Sequence, residues 1–139
     1  MITSYVCVDV ETTGLNPKEE KLIEIGAVKV VDGQIVERFQ SFLHPGRPLQ
    51  PRIVALTGIT DEMLTDAPKP AEVMVKFKAF CEDLPIMGHN LQFDYAFIKK
   101  AMVNETLSFE KKRTGYLAYS TQVSSGVGKQ KSGVFMPIF

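Results

Sequence analysis

Apolar residues run almost unbroken from Tyr5 to Val10, and the run is short and rich in β-branched and aromatic side chains. That pattern predicts a strand covered on both faces. The turn-forming stretch Thr12-Thr13-Gly14-Leu15-Asn16-Pro17 ends it. Two further strand-like runs, Ile23 to Val31 and Gln34 to Leu43, flank Asp32-Gly33, the turn chemistry of an antiparallel hairpin. Between Arg47 and Pro70 the chain is punctuated by Pro and Thr, with room for short helices near Ile53 to Leu56 and Asp61 to Leu64. Pro70 then opens an amphipathic helix, because Val73, Phe77, Phe80 and Cys81 fall on one stripe. Pro85 to Gly88 reads as a short buried strand. Phe93, Phe97 and Ala101 mark a second helix at spacing four, with Lys99 and Lys100 on its outer side. Three strands, a helix, a strand and a helix form the order of an α/β layer fold.

The last stretch breaks the pattern. From Arg113 to Phe139 there is no Asp, Glu or His, and neither the strand nor the helix period is sustained. The chain therefore divides into a folded part, residues 1–112, and an atypical tail of low order, residues 113–139. With 139 residues the length fits one domain.

Charge narrows the picture less. Acidic and basic residues balance at 16 each, so no overall field draws in a polyanion or an anionic membrane, and such a site has to be built locally. Cys7 and Cys81 are too few and too far apart for a disulfide framework or a zinc site. A reducing, cytoplasmic setting is expected, since no signal-peptide pattern and no membrane-length apolar run is present.

The candidate chemistry lies in the carboxylates. Asp9 and Glu11 are two apart on a predicted strand, so both point to one side, roughly 6 to 7 Å apart. Burial and mutual repulsion raise the pKa of such a pair, whereas a divalent cation keeps both ionised. Hard oxygen ligands point to Mg²⁺ or Mn²⁺. Taken alone, an Asp-x-Glu more often faces solvent at a strand end or caps the next loop. A third acid strengthens the metal reading. In His89-Asn90-Leu91-Gln92-Phe93-Asp94 a short strand ends at a polar turn, Asn90 is placed to cap the helix, and Asp94 falls in its first turn. If that strand lies beside the first, Asp94 closes on Asp9 and Glu11; otherwise Asp94 is an ordinary partner of the helix dipole. His89, by itself, reads as a hydrogen-bonded structural residue.

Val8-Asp9-Val10-Glu11-Thr12-Thr13-Gly14 and His89-Asn90-x-x-Phe93-Asp94 resemble the first and second motifs of the DnaQ-like (DEDD) 3′-to-5′ exonucleases. Leu22-Ile23-Glu24-Ile25-Gly26-Ala27 and Leu56-Thr57-Gly58-Ile59-Thr60 match that family in identity and order. The resemblance covers about residues 4 to 112 and is nearest to the exonuclease domain of bacterial DNA polymerase III, of the epsilon-subunit or PolC type. It implies an RNase H-like mixed sheet, with antiparallel strands first and then a parallel one, flanked by helices. It also implies two-metal hydrolysis at the 3′ end of single-stranded DNA, of the proofreading type, with the polymerase catalytic subunit as partner. In that scheme Asp9, Glu11 and Asp94 hold the ions; one ion activates water and the other stabilises the departing oxygen. Thr12, Thr13, Gly14, Leu56, Thr57, Ile59, His89, Asn90 and Phe93 would hold the terminal nucleotide. Turn composition accounts equally for Thr12 to Gly14, core packing for Leu56 and Ile59, and a surface position for Glu24.

The family's third motif, a His followed five residues later by an Asp, is missing: no His follows His89 and no Asp follows Asp94. This implies an incomplete C-terminal part, an incomplete metal site and a chain with little or no activity. Suitable codons for the tail, read one nucleotide downstream, spell a D-T-L-x-x-A-R segment and a charged amphipathic helix like the family's, so a frameshift is the expected origin of residues 113–139, with a divergent end or a chain completed by a partner as the alternatives. Without the last helix, Phe97 should face an apolar gap. An RNA-trimming enzyme of the same family and a non-catalytic nucleic-acid or polymerase-binding module are the competing functions.

Overall fold

The structure is a computed structural model and describes residues 2–111. It contains β1 (Tyr5–Thr12), β2 (Leu22–Val31), β3 (Gln34–Phe42), α1 (Pro51–Thr57), α2 (Asp61–Leu64), α3 (Pro70–Cys81), β4 (Ile86–Met87) and α4 (Leu91–Asn104). The expected frameshift, low order and missing motif of the tail fall on residues outside those described.

The strands form one sheet in the order β3-β2-β1-β4. β1 and β2 pair antiparallel with Asp9 opposite Gly26 and Glu11 opposite Glu24, and β2 pairs antiparallel with β3. Asp32 and Gly33 both take positive φ, 52° and 79°, the geometry of the tight hairpin turn that Asp-Gly favours. β4 lies parallel to β1, with Val6 opposite Ile86 and Cys7 opposite Met87. β1 continues two residues past Val10, where the turn-like sequence had been expected to end it. Pairing to β2 carries the ladder to Thr12, and the register shifts between Glu11 and Thr12.

The apolar run of β1 explains why it sits inside the sheet. Val6, Val8 and Val10 pack with Ile25 and Ala27 of β2 and with Met74, Phe77, Ile98 and Met102 of α3 and α4. The rings of Phe77 and Phe39 meet edge to face with centroids 5.4 Å apart. A second cluster, Ile23, Leu49, Ile53, Ile59 and Leu64, anchors α1 and α2. Pro51 opens α1, and Gly58 closes it at φ 79° with its N–H bonded to the Val54 carbonyl.

Two local expectations change. Asn90 occupies the N-cap position of α4, but its side chain makes no capping bond. Lys100 does not simply face outward: its Nζ donates to the carbonyls of Pro17 and Lys18 at 3.0 and 2.9 Å, tying α4 to the loop after β1. Phe97 is buried, yet it lines a cavity of about 290 Å³ with Leu22, Leu43 and Ala101. Among the described residues no helix is long and apolar enough to cross a membrane.

Candidate active site

Alternation along β1 sends Val8 and Val10 into the helical core, so Asp9 and Glu11 lie on the opposite side of the strand. β4, bonded beside β1, ends at the Gly88–Asn90 turn that starts α4, and Asp94 sits in the first turn of that helix. The condition for three acids to share one region is therefore met: the strand that leads to Asp94 is the neighbour of the strand that carries Asp9.

Asp9 and Asp94 both register neighbouring acids. Burial, then the charges of Glu11 and Glu24, push the Asp9 carboxyl up to about 7, against a hydrogen bond from the Val10 backbone. Burial, then the charges of Asp9 and Glu11, hold Asp94 well above the usual carboxylate range. Only 2% of Asp94 is exposed, and its Oδ2 has no hydrogen-bond partner among the described residues. Cys7, two residues before Asp9, is buried in the same field, and burial followed by Asp9 and Asp94 pushes its thiol up to about 12. At that value it is no nucleophile.

The donor set suits a hard divalent cation, which would satisfy the orphaned oxygen and cancel the repulsion between the acids. Among the described residues, no three His, Cys, Asp or Glu side chains converge closely enough to close a coordination sphere. Glu24 belongs to this field: it pairs across from Glu11, contributes to the upward shift of Asp9, and accepts a 2.9 Å bond from Gln40 Nε2.

The remaining predicted site residues divide into two groups. Thr12, Thr13 and Thr57 are buried, and their hydroxyls are engaged inside the protein: Thr12 Oγ1 with the Gly14 carbonyl, Thr13 Oγ1 with Glu20, and Thr57 Oγ1 with the Ile53 carbonyl and the Ile59 N–H. Ile59 is core. Leu56, by contrast, is 77% exposed on α1, so core packing does not explain it. His89 and Asn90 are exposed at the turn into α4, and half-buried Phe93 places its ring 4.9 Å from that of Phe97. Sequence reasoning gave Gly88 no role, although a glycine at the step from strand to helix was the available signal. An added Cβ there would lie 2.8 Å from the Val8 carbonyl oxygen and 3.5 Å from Asp94 Oδ2, so the missing side chain lets α4 approach β1.

A mixed sheet of antiparallel strands followed by one parallel strand, flanked by helices, defines the RNase H-like fold. Solved structures agree on the fold: Escherichia coli exonuclease I in complex with a dT13 oligonucleotide superposes with a TM-score of 0.71 at 16% identity, covering 91% of this chain and 30% of that one. The zinc-bound exonuclease I–ssDNA complex superposes at 0.72 with the same identity and coverage. The family model described as Exonuclease (RNase_T) matches residues 6–132, and the chain belongs to that family. Among its relatives, DNA polymerase III PolC-type from Bacillus cereus is 49% identical over 107 residues, 74% of this chain and 8% of the relative. The Bacillus subtilis counterpart is 45% identical over 98 residues, 70% and 7% respectively. The chain thus spans less than a tenth of the length of these curated relatives.

Proposed function

We propose that this domain removes nucleotides from the 3′ end of single-stranded DNA, with Mg²⁺ or Mn²⁺, as the proofreading exonuclease of a cytoplasmic DNA polymerase III of the PolC type. The single observation that carries this reading is the buried Asp94 oxygen without a partner, set in the field of Asp9 and Glu11. A divalent cation bound there would supply an activated water and neutralise the departing oxygen. Asp9, Glu11 and Asp94 are the ligands, with Glu24 adding negative potential.

The chain's own residues hold the substrate. Leu56 offers an apolar surface to the terminal base, and Ile59 supports it from the core beneath. The Thr12–Gly14 and Thr57–Gly58 segments offer main-chain groups, since their threonine hydroxyls are already engaged. His89, Asn90 and Phe93 border the turn that delivers Asp94. The oligonucleotide complexes of exonuclease I favour DNA over RNA as substrate. Retention of all three acids speaks against a pure binding module.

Tested alone, these 139 residues are expected to be nearly inactive, because no His follows His89 and no Asp follows Asp94. Lack of a positioned base lowers a rate by about 10²- to 10⁴-fold. The test is stepwise shortening of a 5′-labelled single strand with and without Mg²⁺, beside Asp9→Ala. Residual cation-dependent shortening that Asp9→Ala abolishes supports the assignment. Shortening that is unchanged in the variant rejects it.

A further inference from the structure

Besides the tie from Lys100, the loop between β1 and β2 is held by Glu20 within it and Arg47 beyond β3. Arg47 Nη2 donates to Glu20 Oε1 at 2.7 Å, to Thr13 Oγ1 at 3.2 Å and to the Glu19 carbonyl at 3.1 Å. Thr13 Oγ1 donates to the same Glu20 oxygen at 2.7 Å and accepts from the Lys21 N–H at 2.9 Å. The Glu20 side chain also fills the space over Gly14, where an added Cβ would lie 2.7 Å from its Cδ. The conformation of Thr13-Gly14 therefore depends on where Glu20 is held, and Arg47 holds it.

Arg47 stands on the segment that leads from β3 into α1. Two residues on, Leu49 is buried with Ile53 and Ile59, and its N–H donates to Asp61 Oδ1 at 2.8 Å. A hollow of about 240 Å³ lies between the two segments, lined by Thr13, Glu20, Arg47, Pro48 and Gln50, the last being the N-cap residue of α1. A half-exposed ion pair contributes little stability, but a guanidinium shared among three acceptors constrains geometry.

The geometry points to Glu20 and Arg47 as a positioning pair that sets the spacing between the Thr12–Gly14 loop and the Leu56–Ile59 end of α1, and with it the slot for a 3′-terminal nucleotide. This rests on the exonuclease reading above. Neither side chain belongs to the carboxylate site, so its removal loosens substrate and leaves cation binding intact.

The test uses the full chain and two readouts: anisotropy of a fluorescent single-stranded DNA with a free 3′-hydroxyl, and amide hydrogen exchange over residues 13–21 and 56–59. Arg47→Ala should weaken DNA binding about three- to tenfold, raise exchange in both segments, and leave Mn²⁺ affinity unchanged. Arg47→Lys should recover part of the loss, and the exchanged pair Glu20→Arg with Arg47→Glu should bind better than either single variant. Unchanged DNA affinity in Arg47→Ala overturns the proposal, as does exchange that rises over residues 13–21 alone. If the parent chain binds no DNA, the nucleic-acid reading fails, and the exchange data still decide whether the pair couples the two segments.

Discussion

Gly88 lies so close to Val8 that a Cβ at position 88 would stand 2.8 Å from the Val8 carbonyl oxygen. The contact is with main chain, so relief requires β4 or the start of α4 to move. Gly88→Ala should destabilise the domain by about 1–3 kcal/mol, read from urea midpoints, and should weaken Mn²⁺ binding because Asp94 shifts with the turn. A variant as stable as the parent would show that the turn yields freely.

The pH dependence of stability without divalent cations follows from the acids. Asp9 has a folded-state pKa of about 7 against an ordinary value of 3.8, and Asp94 is shifted the same way. The folded protein therefore binds these protons more tightly than the unfolded chain. Their contribution is complete below the ordinary value and is lost as pH rises through about 7. Denaturation in EDTA should show stability falling over that range, and Asp9→Asn should flatten the fall. An identical slope in the variant would contradict the shared field.

Divalent cations should reverse that loss. Above neutral pH, Mn²⁺ at a hundredfold excess over its Kd should stabilise the parent by about 2.7 kcal/mol, and EDTA should remove the gain. Asp94→Asn should be more stable than the parent in EDTA yet respond little to Mn²⁺. A full Mn²⁺ response in Asp94→Asn would place the cation elsewhere.

Lys29 is a buried lysine on β2 whose Nζ lies 3.0 Å from Glu37 and 3.4 Å from Glu82, and 4.9 Å from the Phe80 ring centroid. Both carboxylates are more than half exposed, so the ion pairs are weak and the packed aliphatic stem matters more. Lys29→Ala should cost about 1–3 kcal/mol, whereas Lys29→Met, which keeps the stem, should cost under about 1 kcal/mol. Equal losses in thermal melts would shift the weight to the charges.

Leu56 separates binding from stability. With 77% of its surface exposed, Leu56→Ser should change stability by less than about 0.5 kcal/mol. Its affinity for single-stranded DNA should nevertheless fall about fivefold, the effect of losing roughly 1 kcal/mol of apolar contact. Undiminished affinity would remove Leu56 from the site.

The elements and their order were legible because their signals are local. The apolar run from Tyr5, the Asp32-Gly33 turn and the stripe from Val73 to Cys81 all lie within short windows. Asp9, Glu11 and Asp94 stand out through their motifs, but their lying in one region depended on β4 choosing β1 as its neighbour, a long-range pairing that periodicity does not encode. Gly88 and the Glu20–Arg47 pair were not legible, since both act through partners distant in sequence. Lys29 likewise gave no sign that a lysine on an apolar strand would be buried. The engaged hydroxyls of Thr12 and Thr13 depend on loop geometry that residue type leaves open.

The parallel pairing of β1 with the two-residue β4 has a consequence for how the protein assembles. β1, β2 and β3 are neighbours in sequence and zip together through short connections, but β4 must return across everything between β3 and itself. The aspartate it leads to thus carries the largest loop-closure cost of the three acids and is attached to the least extensively bonded strand. A partly opened chain can keep its hairpins while Asp94 leaves Asp9 and Glu11, so strand content alone does not report an assembled carboxylate region.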